Sequence, residues 1–328
     1  MMKKTISQCM IVKNEEKNIR RALSWGKDIM CEQIVVDTGS SDRTVEIARE
    51  MGAKIFFFPW INDFAAAKNF AIDQAKGDWI AFLDADESFT PEDTKKIPEI
   101  LEYVGDDVDG LLTGIADLDE NNNITSGGTM IRFFVNRPDL RYVGKIHEHL
   151  VRKGESGLHL ADATEQLAFL HTGYQEQEKK DKSKFEINLN IILEILKQEP
   201  ENCDYLGYLG DTYSSDGKNE EARDAYKKAV AAMPEKLGVY DQRSSYTYTN
   251  LLRVSQCLKE PEAEVEAIYK EAVEKLPKEP DFDCVMGEWY WGKGQYEKAV
   301  QMYELAIAKL ETYGTVNRGI ITTSMLIQ

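Results

Sequence analysis

The chain has 328 residues, of which 42% are hydrophobic and 30% are charged, and its formal net charge is −17. This length predicts two domains, each able to bury a core of its own. The acidic excess is spread over both halves, which argues against a nucleic acid or an anionic membrane surface as partner, since both attract basic patches.

No apolar run approaches the ~20 residues that a membrane helix needs, so we expect no transmembrane segment. The polar residues of the N-terminal segment interrupt any signal-peptide core. The 5 cysteines are scattered without a Cys-x-x-Cys motif, which favours reduced thiols. Together these features predict a cytoplasmic protein.

The N-terminal part alternates apolar runs of strand length with stretches of helical periodicity. Strands are predicted at residues 6–12, 33–37, 54–58 and 79–83, and helices at residues 14–30, 41–52 and 62–77. Strands separated by helices of this length predict βαβ units and a parallel sheet with right-handed crossovers. Two further short strands are predicted at residues 110–115 and 130–135.

Acidic residues follow one of these strands directly. The apolar run at residues 79–83 is typical of a strand buried on both faces. Asp84 and Asp86 come just beyond its carboxyl end, where open α/β sheets bind ligands. Two such carboxylates suit a hard divalent cation whose remaining ligands come from substrate phosphates. The motif therefore predicts a metal–diphosphate site, although an isolated Asp-x-Asp pair is more often a solvated turn.

Beyond about residue 185 the sequence indicates helices only. Tyr269 and Tyr303, like Ala272 and Ala306, are separated by one tetratricopeptide period of about 34 residues. We therefore predict three degenerate helical pairs, with an unrelated helical bundle as the alternative. The predicted domains are residues 1–177, an α/β domain, and residues 178–328, an all-α tetratricopeptide-like domain.

Five segments of the α/β domain resemble glycosyltransferase family 2, in the order that the family shows. They are residues 9–16, 35–44, 64–71, 83–87 and 144–150. The resemblance covers roughly residues 5–175 and implies the GT-A fold, a Rossmann-like, mostly parallel sheet flanked by helices. It also implies a metal-dependent, inverting transfer of a hexose from a UDP-sugar to an acceptor.

The resemblance also assigns donor-binding positions, which are Val12, Asn14, Glu15, Asp37, Lys68, Asn69, Asp84 and Ala85. Asp37 would accept a hydrogen bond from the uracil imide, and Asp84 would accept from the ribose hydroxyls. Lys68 would face the diphosphate. The alternatives are a turn-forming Asp37, a helix-stabilising acid at Glu15 and a solvated Lys68.

Mn²⁺ or Mg²⁺ is the cofactor that the resemblance implies, with a histidine from later in the chain completing the site. The candidate metal ligands are Asp86, His147 and His171. The candidate bases are Glu148, Glu87 and Asp117, of which Glu148 is preferred because it lies between two histidines of a matching segment. Glu87 also remains a candidate for orienting the metal's waters or the acceptor.

The acceptor is left open between a polypeptide and a glycan. The segment at residues 146–150, with residues 171–174, resembles a bacterial subgroup. Some of its members glucosylate lipopolysaccharide cores, and others glycosylate bacteriocin cysteines. The tail is predicted to bind a peptide, or to form a homodimer through the aromatic residues 289–291.

Two other classes are weighed against the glycosyltransferase. A catalytically silent nucleotide-sugar-binding scaffold would keep the fold while the helical tail does the work. A nucleotidyltransferase would need a Gly-rich, basic loop after the first strand, and residues 12–15 do not provide one.

Overall fold

The computed structural model describes residues 4–155, 157–172, 177–238 and 241–313. The chain divides into two compact units, Met1–Asp181 and Lys182–Gln328. The predicted boundary between residues 177 and 178 lies at the first turn of a helix that begins at Gln177, and it remains a prediction.

The described residues of the N-terminal unit before Gln177 form strands and helices. The strands are β1 (Ile6–Val12), β2 (Glu32–Asp37), β3 (Lys54–Phe57), β4 (Trp79–Phe82), β5 (Glu87–Phe89), β6 (Gly110–Leu118), β7 (Ile124–Val135), β8 (Leu140–Val143), β9 (His149–Arg152), β10 (Leu160–Asp162) and β11 (Ala168–His171). The helices are α1 (Ile19–Ser24), α2 (Thr44–Glu50), α3 (Phe64–Asp73) and α4 (Pro91–Tyr103).

The main sheet has the strand order β3-β2-β1-β4-β7-β6-β11-β5, with β10 beside β6. Strands β3, β2, β1 and β4 are parallel, as the alternation of strands and helices predicted. Strand β7 is antiparallel to both β4 and β6, and β5 is antiparallel to β11, so the complete sheet is mixed. The carboxyl ends of β1, β2 and β4 consequently share one edge of the sheet.

Helices cover both faces of the parallel part. Alternate side chains of β1 point to opposite faces because a strand has a period of two. Met10 packs with Ile19 of α1 and with α2, whereas Cys9 packs with Ala71 of α3. Helices on both faces of a largely parallel sheet define the α/β class, and the predicted fold class is confirmed.

Some predicted boundaries are wrong. The sequence indicated a helix from residue 14, yet Asn14 has a φ of 56° and α1 begins only at Ile19. A residue in the left-handed region cannot continue a right-handed helix, so the chain turns before α1. Strands β6 and β7 extend beyond the predicted residues 110–115 and 130–135 and form a long hairpin.

The second unit is helical throughout its described residues. Its helices are α5 (Gln177–Gln198), which begins before the unit does, then α6 (Cys203–Ser215), α7 (Asn219–Ala232), α8 (Gln242–Cys257), α9 (Glu262–Lys275), α10 (Asp281–Gly292) and α11 (Tyr296–Tyr313). The pairs α6–α7, α8–α9 and α10–α11 pack together, as predicted.

Small residues on the first helix of a pair allow this packing. A Cβ atom on Gly210 would lie 2.4 Å from the ring of Tyr226, and one on Gly287 would lie 2.7 Å from the ring of Tyr303. Each glycine therefore accommodates a tyrosine of the following helix, the small-and-large pattern of tetratricopeptide units.

The aromatic residues 289–291 are less exposed than the sequence analysis assumed. Tyr290 is buried and donates a hydrogen bond to Glu266 Oε1 at 2.6 Å, and Trp289 packs against the same core. Trp291 alone of the three is largely exposed, at 58%, and its ring contacts that of Tyr296. A dimer surface made of all three side chains is therefore wrong.

Candidate functional site

The carboxyl end of β4 carries the acidic motif to the edge of the sheet. Residues Leu83 and Ala85 are buried, and Ala85 packs in the core with α1 and α2. The chain turns at residues 85–86, and Asp84 and Asp86 contact different partners, Arg132 and His171. The two carboxylates therefore contribute to two different clusters at this edge.

The first cluster joins Asp86 to β11. Asp86 Oδ2 lies 3.4 Å from His171 Nε2, and His171 Nδ1 lies 2.8 Å from Asp117 Oδ1 on β6. His171 is paired with Asp117 in the parallel β6–β11 register, which explains why these two side chains meet. The hydrogen bonds to Asp86 and to Asp117 raise the pKa of His171 to about 9, although burial opposes them.

The second cluster surrounds Arg132 of β7. Its guanidinium forms a buried ion pair with Glu87 and lies 3.5 Å from Asp84 Oδ2. Glu87 is only 3% exposed, and it also accepts a hydrogen bond from the Asp84 N–H at 3.0 Å. Burial, reinforced by the Asp84 charge and opposed by Arg132, raises the pKa of Glu87 to about 7. Through its contacts with the Asp84 N–H and with Arg132, Glu87 stabilises the turn between β4 and β5.

A third cluster holds Lys68 of α3 beside Glu148. Lys68 Nζ lies 2.7 Å from Glu148 Oε1. It also lies 5.2 Å from the ring centroid of Phe82 and 5.1 Å from that of Tyr142. Burial lowers the pKa of Lys68, but the Asp84 and Glu148 carboxylates outweigh it and raise that pKa above its usual value. Lys68 is thus a buried cation, and its alternative interpretation as a solvated helix lysine is wrong.

Asp37, at the end of β2, is buried and organises a turn. Its carboxylate accepts hydrogen bonds from the N–H groups of Gly39 at 3.0 Å and Ser40 at 3.1 Å. The turn-forming interpretation of Asp37 accounts for these contacts. A carboxylate oxygen has a second lone pair, so a uracil contact remains a prediction.

The loop after β1 is hydrogen-bonded to the segment that follows β2. Asn14 Oδ1 accepts from the Ser41 N–H at 2.8 Å, and the Asn14 N–H donates to Ser40 Oγ at 2.9 Å. The Glu15 N–H donates to Thr44 Oγ1 at 2.7 Å, and Val12 is buried in the core. The candidate donor-binding residues of this loop therefore fix its shape, and their contact with a nucleotide remains a prediction.

Asn69 has a structural role that the resemblance did not indicate. Its Nδ2 donates to the Tyr142 carbonyl at 2.8 Å, and its Oδ1 accepts from the Tyr142 N–H at 2.9 Å. Both ends of the amide thus tie α3 to β8. The contact of Asn69 with a donor remains a prediction.

The structure does not assemble all three candidate metal ligands. Among the residues that it describes, no group of three or more His, Cys, Asp or Glu side chains is arranged to hold a metal. Asp86 and His171 come together, whereas His147 has an exposed side chain and a φ of 53°. The structure therefore brings two of the three candidates together, and the three-residue ligand set stays a prediction.

Arg132 is the main residue of the site that the sequence analysis missed. It stands within the apolar stretch of β7, where a charged side chain is rarely buried without a partner. The sequence therefore indicated that Arg132 needs an acidic partner. Because β7 lies beside β4 in the sheet, the acids after β4 are the nearest such partners.

The comparisons with known proteins agree with this organisation. Residues 7–151 match the family model described as glycosyl transferase family 2, and residues 205–235 and 285–314 match tetratricopeptide-repeat models. The chain is 32% identical over 231 residues to the SPbeta prophage-derived glycosyltransferase SunS of Bacillus subtilis, covering 69% of this chain and 53% of SunS.

Two further similarities cover different parts of the chain. A TPR repeat-containing protein of Synechococcus elongatus is 40% identical over 143 residues, which is 44% of this chain and 34% of that protein. The structure of a fragment of S. aureus TarS in complex with UDP-GlcNAc is 16% identical to this chain, with a TM-score of 0.46. The match covers 78% of this chain and 91% of the TarS fragment. The chain thus spans about half of SunS and a third of the Synechococcus protein.

The chain therefore carries an N-terminal glycosyl transferase family 2 domain and tetratricopeptide repeats in its C-terminal region. The predicted resemblance to this family and the predicted tetratricopeptide character of the helical region are confirmed. In the described part of the chain, no helix has the length and apolar character needed to cross a membrane.

Proposed function

We propose that the protein is an inverting, metal-dependent glycosyltransferase that moves a hexose from a UDP-sugar to an acceptor. The observation that carries this proposal is the approach of Asp86 Oδ2 to His171 Nε2, at 3.4 Å. Asp86 lies within residues 7–151, which match the glycosyl transferase family 2 model, and His171 follows them. In the proposed reaction an acceptor oxygen or sulfur attacks the anomeric carbon while the bond to the diphosphate oxygen breaks.

The chemistry of Asp86 and His171 fits a divalent cation. A carboxylate suits Mn²⁺ or Mg²⁺, and the diphosphate and water would supply the remaining oxygen ligands. Asp117 bonds to the other ring nitrogen of His171, as carboxylates beside metal-bound histidines do. When bound, such a cation neutralises charge on a leaving diphosphate.

Glu148 is the preferred proton acceptor. Its side chain is 13% exposed, against 3% for Glu87, which is enclosed by Arg132. Asp117 already bonds to His171 and accepts from the Ser126 hydroxyl. Asp117 is about as exposed as Glu148, at 14%. The preference for Glu148 therefore rests on its place between two histidines of the matching segment and on Lys68, which holds it in place.

The donor is tested by measuring hydrolysis of UDP- and GDP-sugars with Mn²⁺, with Mg²⁺ and with excess chelator. We expect UDP release only when a metal is present. A preference for GDP-sugars would remove Asp37 from uracil recognition. Hydrolysis of no donor under any condition would favour the catalytically silent scaffold.

We propose a polypeptide acceptor, because tetratricopeptide units stack into concave surfaces that hold extended peptides and two such repeats match this chain. Donor hydrolysis and transfer to peptides or glycans should be compared in the full chain and in residues 1–181. We expect truncation to remove peptide transfer and spare hydrolysis. Unchanged transfer after truncation would contradict this role, and a loss of dimers alone would assign the tail to self-association.

A further inference from the structure

One arginine of α1 reaches the turn that carries Asp86. Arg21 Nη2 lies 3.4 Å from the backbone carbonyl oxygen of Asp86 and 2.5 Å from Thr172 Oγ1. The Thr172 N–H and hydroxyl also donate to that carbonyl, each at 3.1 Å. The Asp86 carbonyl is therefore the shared acceptor of three donors from two distant segments.

These bonds connect the backbones of both candidate metal ligands. Thr172 directly follows His171 at the end of β11, while the carbonyl belongs to Asp86 itself. Fixing the Asp86 carbonyl against Thr172 thus limits how far the Asp86 and His171 side chains can separate. The antiparallel pairing of β5 with β11, in which His171 is in register with Glu87, joins the same two segments. The contacts of Arg21 and Thr172 fix the Asp86 backbone at the end of that ladder.

The half-buried side chain of Arg21 contains a buried polar atom. Its Nε is buried and has no hydrogen-bond partner within the described structure, a cost for any polar group. Other contacts also hold helix α1 in position. The Ala22 and Leu23 carbonyls accept from Gln8 and Gln33, and Trp25 packs on Phe89 with ring centroids 5.2 Å apart.

We propose that Arg21 and Thr172 are positioning residues that hold Asp86 and His171 at the separation at which both bind one divalent cation. This inference rests on the proposed function, since it assigns the support of the same metal site. Neither residue touches the cation or the donor. Their effect is on the geometry of the two ligands.

The test measures Mn²⁺ binding to the full-length chain by calorimetry and by electron paramagnetic resonance, with UDP present. We expect Arg21→Met and Thr172→Val to weaken Mn²⁺ binding by about 10- to 100-fold, the usual effect of losing a residue that supports a metal ligand. Thr172→Ser keeps the hydroxyl and should bind Mn²⁺ as the unaltered chain does.

The matched control is Arg20→Met on the same helix. Arg20 is 58% exposed and pairs with Glu50, so its loss should leave Mn²⁺ binding unchanged. UDP binding in chelator, which a damaged fold would weaken, should also stay unchanged in every variant. If Arg21→Met does not fold, the Thr172→Val and Thr172→Ser pair still decides.

Mn²⁺ binding by Arg21→Met and Thr172→Val equal to that of the unaltered chain would overturn the inference while leaving the proposed function intact. An unaltered chain that fails to bind Mn²⁺ in the presence of UDP would remove the metal-dependent function and this inference together. The two failures are therefore distinguishable in one set of measurements.

Discussion

Replacing Asp86 with asparagine is expected to lower metal-dependent UDP-sugar hydrolysis by at least about 10²-fold, the scale of removing one electrostatic stabiliser of a transition state. The amide keeps the shape of the side chain but removes the charge that would hold the cation beside His171. The hydrogen bond from Thr172 to the Asp86 backbone carbonyl is unaffected by this change.

The measurement compares initial rates at saturating Mn²⁺, with Asp28→Asn as the matched control. Asp28 is exposed in the turn after α1, so its substitution should leave the rate within experimental error. Full activity of the unaltered chain in excess chelator, or equal rates for the Asp86→Asn variant, would contradict the assignment of Asp86 to the metal.

Replacing Lys68 with methionine is expected to destabilise the N-terminal unit by about 3–5 kcal/mol, the range for removing one partner of a buried ion pair. Lys68 is 6% exposed, and its loss leaves the Glu148 carboxylate without the cation that lies 2.7 Å from it. Asp84 keeps its contact with Arg132. Sugar transfer should fall as well, because the proposed base would no longer be held in place.

A double variant, Lys68→Met with Glu148→Gln, separates stability from activity. Removing both charges should restore part of the stability, because no buried carboxylate then remains without its lysine at this position. Activity should stay low. Hydrogen exchange of amides in α3 and β4 reports the stability of the N-terminal unit alone.

Lys76→Met is the control for the Lys68 series, since Lys76 is exposed just after α3. Its effect should stay within about 0.5 kcal/mol, as for most surface substitutions. A Lys68→Met variant with the same exchange rates as the unaltered chain would show that the Lys68–Glu148 pair adds nothing to stability.

The sequence predicted those parts of the fold that local pattern determines. The continuous apolar run of β4 and the acids after it identified the edge of the sheet, because buried strands and their polar ends are both visible in sequence. The start of α1 was missed because Asn14 adopts a left-handed conformation, which asparagine tolerates but does not require.

Tertiary contacts explain what the sequence did not predict at the site. Asn69 stood in a matching segment, yet its amide is occupied by the Tyr142 backbone, a partner defined only once β8 lies beside α3. Arg132 finds Glu87 through the antiparallel placement of β7 next to β4. No spacing along the chain indicates either contact.

Strand β11 lies between β5 and β6, and His171 is in register with Glu87 on one side and with Asp117 on the other. Asp86 precedes Thr172 by 86 positions, so a chain leaving the ribosome presents the acidic turn long before its histidine. Domains begin to fold during synthesis from the N-terminal end. The nascent domain therefore lacks the complete pair of proposed metal ligands until β11 inserts between β5 and β6.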